Sequence, residues 1–310
     1  MAKKLHLKVA VLQTSPAFLN KEESVARACE LIKEASSNGA RLVLFPEAFI
    51  SAYPDWVWSL PAAQKAQIST LYGELLESSV TVPDDATAQL GKAAREADVY
   101  LAIGVNERNA ESSQSSLYNT LLYFEPSGKL LGKHRKLIPT GGERLMWVGG
   151  DGDTLVSFDT EIGRIGGLIC WENFMPLPRV AMYEAGVQIY LAPTWDSSPS
   201  WLTAMKHIAR EGGMFVLGCC QAVKVSDIPD RYEFKKLYAA GREWVNKGNS
   251  CVVNPKGEII AGPMEAEQGI LYAEIDLAEI PEQKWLLDVA GHYARPDVFE
   301  FSVRRPLSGE

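Results

Sequence analysis

Cys170 stands in the run Gly166-Gly167-Leu168-Ile169-Cys170-Trp171-Glu172-Asn173-Phe174-Met175-Pro176. An apolar, β-branched approach (Ile165, Leu168, Ile169) leads into the sulfur, an acid and an amide follow, and Pro176 marks a helix start. A strand that ends in Cys170 and turns straight into a helix puts the thiol at the carboxyl edge of a sheet. Unpaired backbone N–H groups can face a substrate there. Thiolate is the nucleophilic form of cysteine, and helix N-termini and neighbouring cations favour it near neutral pH. Most free cysteines are instead small core residues. Cys219, Cys220 and Cys251 lie within strand patterns and are assigned to the core on that ground.

Other residues suited to such chemistry stand at strand ends. Glu47 follows Phe45-Pro46, Lys136 follows His134-Arg135, and Glu143 sits in the loop Thr140-Gly141-Gly142-Glu143-Arg144. An isolated acid or lysine is most often a solvated surface group, but Glu47 and Lys136 leave apolar strands at the edge where α/β active sites form. Of the four histidines, His6 falls in a strand, His207 in a helix and His292 in the tail; His134, two residues before Lys136, is the plausible neighbour of the site. No GxSxG elbow, HExxH or phosphate-binding glycine loop occurs, so the metal and nucleotide readings drop out.

The elements that would position these residues follow from periodicity. Leu5 to Leu12 reads as a strand, Lys21 to Ser36 as a helix and Arg41 to Phe45 as a strand stopped by Pro46. An aromatic loop covers Ala48 to Leu60, helices cover about 62–78 and 84–97, and Val99 to Val105 is a strand. Tyr118 to Glu125 and Lys129 to Lys133 form a hairpin around Pro126-Ser127-Gly128, and Thr154 to Phe158 pairs with Arg164 to Ile169. A helix (Pro178 to Ala185), strand (Val187 to Ala192), helix (Ser200 to Gly212) and strand (Phe215 to Cys220) continue the alternation. Lys224 to Lys247, polar and weakly periodic, reads as a surface insertion. A final hairpin (Ser250 to Asn254, Glu258 to Ala261), a strand (Gly269 to Ile275) and a helix (Leu277 to Leu286) precede a tail with little regular signal. This is a mixed α/β sheet architecture covered by helices. With no linker or repeat, residues 1–300 are read as one domain and 301–310 as a tail.

The bulk numbers bound the function. The 310 residues, 46% hydrophobic and 23% charged, have the composition of a soluble globular protein. A net charge of -8 without a run of Lys or Arg argues against nucleic acid. No apolar run approaches the roughly 20 residues of a membrane span, and the N-terminus has a strand pattern rather than a signal peptide. The five cysteines are an odd, scattered set without a CxxC pair, which speaks against a disulfide framework or zinc site and for a reducing cytoplasm.

In Leu44-Phe45-Pro46-Glu47, His134-Arg135-Lys136-Leu137-Ile138-Pro139-Thr140 and Gly167-Leu168-Ile169-Cys170-Trp171-Glu172-Asn173, the chain resembles the nitrilase superfamily, which carries a Glu-Lys-Cys triad. Cys-Trp-Glu-Asn resembles the nitrilase branch rather than the amidase and carbamoylase branches. Supporting matches are Glu143-Arg144-Leu145, Ala192-Pro193-Thr194-Trp195 and Gly291-His292-Tyr293-Ala294-Arg295-Pro296-Asp297. A departure is Ala52 before Tyr53-Pro54, where the family usually has glycine, which bears on the geometry of that loop.

The resemblance implies an αββα sandwich of mixed sheets flanked by helices, pairing into an αββα–αββα homodimer or larger homo-oligomer. It implies a small nitrile as substrate, Cys170 as nucleophile, Glu47 as general base and Lys136, with the Trp171 backbone N–H, as stabiliser of the developing charge, with no metal or organic cofactor required. Glu143 would position Lys136 or the substrate, and Glu172 is suggested beside them, although an ordinary acid at a helix start accounts for it equally well. Tyr53, Trp56, Trp58, Trp147 and Trp195 compete between pocket and core, with Tyr53, Trp171, Trp195 and Glu172 assigned to substrate binding. The alternatives are a cyanide-hydrolysing enzyme, an amidase or carbamoylase with the same triad, and a non-catalytic binding or assembly protein on the same fold.

Overall fold

The computed structural model describes residues 6–304 except 62 and 112. Leu5, the residue 62 start of the second helix and the end of the tail at 305–310 therefore lie outside the described residues. The strands are β1 (His6–Gln13), β2 (Ala40–Leu44), β3 (Val80–Thr81), β4 (Tyr100–Arg108), β5 (Leu117–Phe124), β6 (Leu130–Arg135), β7 (Ser157–Phe158), β8 (Ile165–Gly167), β9 (Ile189–Thr194), β10 (Phe215–Cys220), β11 (Ala222–Lys224), β12 (Trp244–Lys247), β13 (Ser250–Val253), β14 (Ile259–Met264) and β15 (Gly269–Asp276). The helices are α1 (Lys21–Ser37), α2 (Trp56–Ser59), α3 (Lys65–Glu77), α4 (Asp85–Ala97), α5 (Pro176–Glu184), α6 (Pro199–Gly212) and α7 (Glu279–Lys284).

Strand side chains alternate between faces, and here both faces are apolar. In β1, Val9 and Val11 point into the core between two sheets, while Ala10 and Leu12 point to α1 and α4. In β9, Ile189 and Leu191 enter the same central core, and Tyr190 and Ala192 face α5 and α6. The result is an αββα sandwich. One sheet runs β15-β1-β2-β4-β5-β6 with β3 beside β4, the other β14-β13-β10-β9-β8-β7, and β11 pairs with β12 apart from both. Parallel pairings (β1 with β2, β2 with β4, β8 with β9, β9 with β10) are mixed with antiparallel ones, as the strand–helix and hairpin patterns imply.

Three local expectations are corrected. The aromatic loop after Glu47 contains the short helix α2, and the loop at Thr140 is a 3-10 turn, Gly141–Leu145. The polar segment 224–247 is not simply a surface insertion. Ile228, Tyr232, Phe234, Tyr238 and Val245 are buried in an aromatic cluster with Tyr53, Trp56 and Trp147. Single aromatics spaced irregularly among charges give no periodicity, yet each buries a large area once the segment folds over the mouth of the site. Among the described residues, no helix is long and apolar enough to cross a membrane.

Candidate active site

Glu47 sits in the turn after β2, which is tied to β4 by Phe45 N–H to the Ala102 carbonyl (2.9 Å) and Ile50 N–H to the Gly104 carbonyl (3.1 Å). A Cβ on Gly104 would lie 2.3 Å from the Pro46 oxygen and 2.5 Å from the Ala48 nitrogen, so only glycine lets this turn lie against the strand. The family's glycine position, Ala52, has φ +77°, so alanine holds the left-handed conformation that glycine would adopt freely.

Lys136 leaves β6 fully buried. Its Nζ donates to Glu47 Oε1 at 2.7 Å and to Glu143 Oε2 at 2.8 Å. Asn119 Nδ2 also donates to Glu47 Oε1 (2.7 Å), and Gln221 Nε2 to the Glu47 carbonyl (2.6 Å). Glu47 Oε2 is buried with no hydrogen-bond partner among the described residues. Glu143 is held by Thr140 N–H (2.7 Å) and by the Tyr53 hydroxyl (2.7 Å), which in turn accepts from Trp58 Nε1 at 3.0 Å. Burial alone would lower the Lys136 pKa, but Glu47, Cys170 and Glu143 outweigh it and hold the ammonium charged. Burial raises the Glu47 carboxyl, with Lys136 opposing.

β8 stops at Gly167, before the cysteine rather than at it, and Cys170 opens a 3-10 turn (Cys170–Phe174) with φ +52°. A Cβ at Gly167 would stand 1.9 Å from the Leu191 oxygen, so glycine permits the close approach of β8 to β9 that sets the turn. Asn173 Nδ2 ties the turn to the Leu168 (3.0 Å) and Cys170 (2.7 Å) carbonyls, and the Tyr190 hydroxyl holds Asn173 Oδ1 at 2.7 Å. The Thr194 hydroxyl donates to Cys170 Sγ at 3.1 Å. Burial first, then Glu47, push the Cys170 thiol up, while Lys136 and Thr194 pull it down. The net direction is upward. That direction favours the thiol over the thiolate, which is the form a general base would act on.

Cys170 and Glu143 lie on the wall of a cavity of about 500 Å³, within the usual range for a small-molecule site. Tyr53, Trp171 and Trp195 line it, as assigned from the sequence; Tyr53 and Trp195 stack at 4.5 Å and 6°. Trp58 joins them, whereas Trp56 packs against Phe18 and Phe234, and Trp147 bonds Asn106. Glu47, Lys136 and Glu172 are all buried and absent from the cavity wall, and what corrects the substrate-binding assignment of Glu172 is its hydrogen bonding. Its carboxylate accepts from the Leu137 and Ile169 backbone and from His134, so both oxygens are already taken up. His134 pairs with Glu172, not with Cys170.

Sequence reasoning missed Asn119, Gln221 and Thr194, and it missed Asp55, Arg242 and Asn246 on the cavity wall. Thr194 ends β9 just as Lys136 follows β6, and that strand-end position was the available signal. Arg242 and Asn246 belong to the segment whose polarity suggested a surface.

The carbon-nitrogen hydrolase family model matches residues 8–284. The chain is 42% identical over 298 residues to an aliphatic nitrilase of Sinorhizobium fredii (strain HH103), covering 96% of this chain and 95% of that one. It is 40% identical over 303 residues to nitrilase 1 of Arabidopsis thaliana, covering 96% and 86%. The fold matches a Saccharomyces cerevisiae member of branch 10 of the nitrilase superfamily with TM-score 0.71 at 21% identity, covering 93% and 97%. It also matches an amidase from Nesterenkonia sp. with TM-score 0.67 at 21% identity, covering 92% and 96%. With its family matched over most of the chain and its relatives over nearly all of it, this protein belongs to the carbon–nitrogen hydrolase family, on the nitrilase branch.

Proposed function

We propose that this carbon–nitrogen hydrolase converts a nitrile and water to a carboxylic acid and ammonia through a covalent intermediate on Cys170. The observation that carries the reading is the buried Glu47–Lys136–Glu143 chain of 2.7 and 2.8 Å ion pairs, whose Glu143 end lines a small-molecule cavity together with Cys170. Cys170 Sγ attacks the nitrile carbon and its proton passes to the unpartnered Glu47 Oε2. Negative charge develops on the nitrile nitrogen, where the Lys136 ammonium and the Trp171 backbone N–H stabilise it. Glu47 returns that proton to the nitrogen, which gives a thioimidate and restores the carboxylate. Water adds with Glu47 taking its proton and passing it to the nitrogen, and collapse of the tetrahedral adduct, its hydroxyl proton going with the nitrogen, expels ammonia and leaves a thioester. A second water attacks the thioester with Glu47 taking its proton and handing it to the departing Cys170 sulfur, which frees the acid and restores the thiol. Glu143, locked by Thr140 and Tyr53, fixes the Lys136 ammonium between the two carboxylates.

The relatives named as nitrilases favour the nitrile reading over amide or carbamoyl hydrolysis. The exposed Trp285, Leu286, Tyr293 and Phe299 support a homodimer or larger homo-oligomer, which sedimentation would measure. Cysteines 29, 170, 219, 220 and 251 are all free, which fits a reducing cytoplasm. The test of the chemistry is ammonia release from phenylacetonitrile, benzonitrile, a dinitrile, cyanide and the matching amides, beside Cys170→Ala. Release from nitriles that the variant abolishes is expected. Turnover of amides alone would overturn the nitrile assignment.

A further inference from the structure

We propose that Glu172 and His134 are positioning residues, a buried clamp that fixes the separation of Lys136 and Cys170. This rests on the reading above, in which those two residues act on the same carbon. Glu172 Oε1 accepts the Leu137 N–H at 2.7 Å, and Oε2 accepts the Ile169 N–H at 2.7 Å. Leu137 directly follows Lys136, and Ile169 directly precedes Cys170. One carboxylate thus bridges the backbone beside the electrophile, on one sheet, to the backbone beside the nucleophile, on the other.

The third partner completes the clamp. His134 Nε2 faces both carboxylate oxygens, at 2.9 and 3.2 Å, and Nδ1 faces the Thr154 carbonyl at 2.8 Å. A carbonyl cannot donate, and both Glu172 oxygens already accept a backbone N–H. The arrangement is satisfied when both imidazole nitrogens carry protons, as an imidazolium against a carboxylate. The directions of titration agree. Burial would raise the Glu172 carboxyl, yet His134 and the two amides hold it down; burial would lower the imidazole, yet Glu172 and Thr154 hold it up. Both side chains are about 1% exposed.

A buried ion pair is a poor device for stability alone, since well-packed apolar side chains often do as well or better. Here its bonds go to two amides that flank the reacting side chains. In Glu172→Gln one oxygen becomes an NH₂ group. Whichever oxygen is replaced, that NH₂ meets a backbone N–H, so one half of the bridge opens while size is kept. An error of about 1 Å between reacting groups lowers rate by roughly 100-fold.

The experiment measures kcat and KM for a nitrile that the wild type turns over, per folded molecule as counted by near-ultraviolet circular dichroism. Glu172→Gln and His134→Gln are compared with Glu107→Gln. Glu107 is an equally buried carboxylate, paired with Lys133 and Arg135 but bonded to neither flanking amide. The clamp predicts that Glu172→Gln loses roughly 100-fold in kcat with KM held within about threefold. His134→Gln, which keeps both amide bonds but not the cation, loses roughly tenfold. Glu107→Gln lowers the melting temperature but keeps kcat per folded molecule. If Glu172→Gln does not fold, His134→Gln decides. The clamp is overturned if the folded clamp variants keep kcat within about threefold, if the loss lies in KM, or if Glu107→Gln loses as much kcat. Cys170→Ala reports separately on the nucleophile, so failure of the clamp and failure of the chemistry are distinguishable.

Discussion

Replacing Lys136 by methionine removes the cation between two buried carboxylates, and its consequences can be worked from the geometry. The ammonium lies 2.7 Å from Glu47 and 2.8 Å from Glu143, with none of the three side chains more than 2% exposed. Loss of one preorganised group facing the developing charge costs about 3–4 kcal/mol, or roughly 10²–10³ in kcat. A separate cost falls on the fold, since deleting one partner of a buried ion pair destabilises by about 3–5 kcal/mol. The two separate with pH. Burial already raises the Glu47 carboxyl, and Lys136 is the foremost influence opposing it. Without Lys136, Glu47 rises further above its unfolded value of about 4.3. A carboxyl raised in the folded state weakens the fold at high pH, and that penalty is relieved as pH falls through the folded pKa. Lys136→Met should therefore melt well below wild type near pH 8 and closer to it near pH 5, while turnover stays at least about 100-fold down at both. Ammonia release at saturating nitrile, with calorimetric melts at each pH, measures both. A folded variant keeping more than about a tenth of wild-type kcat would refute Lys136 as electrophile. A melting difference that does not change with pH would refute the electrostatic account of its burial.

Thr194→Val removes the donor to Cys170 Sγ at 3.1 Å. It should cost roughly 10- to 100-fold in kcat/KM, as for a hydrogen bond to a charged group, and slow alkylation by iodoacetamide; Thr194→Ser should retain both. Tyr53→Phe leaves Glu143 Oε1 and Trp58 Nε1 without the shared hydroxyl. About a tenfold loss of kcat/KM is expected, and unchanged kinetics would show that Glu143 needs no such support. At Glu107, burial is outweighed by Arg135 and Lys133, which hold the carboxyl below its usual range. Its stabilisation is present above the unfolded value of about 4.3 and lost as pH falls through the folded pKa. The melting deficit of Glu107→Gln should accordingly be full at neutral pH and shrink only as pH falls below about 4.3.

What the sequence determined by itself was local. Apolar strand runs alternating with helical periods and hairpins implied a mixed sheet covered by helices, because each apolar face needs a cover. The packing of two such sheets face to face was implied only by the motif resemblance. Glu47, Lys136 and Cys170 were legible because each follows an apolar run at a strand's end, and the motif resemblance joined them. Tertiary structure decided everything that depends on partners far along the chain. Glu172 reads as an acid at a turn start, and only the approach of the β6 end to the Cys170 turn brings the Leu137 N–H to it, 35 residues away in sequence. Thr194 becomes a donor to sulfur only because β8 and β9 lie side by side. The segment 224–247 was misread for the same reason, since its aromatics acquire neighbours only when they close over Tyr53 and Trp56. Strand and helix periods are fixed by near neighbours, whereas a buried polar side chain takes its role from whichever donors the finished fold sets around it.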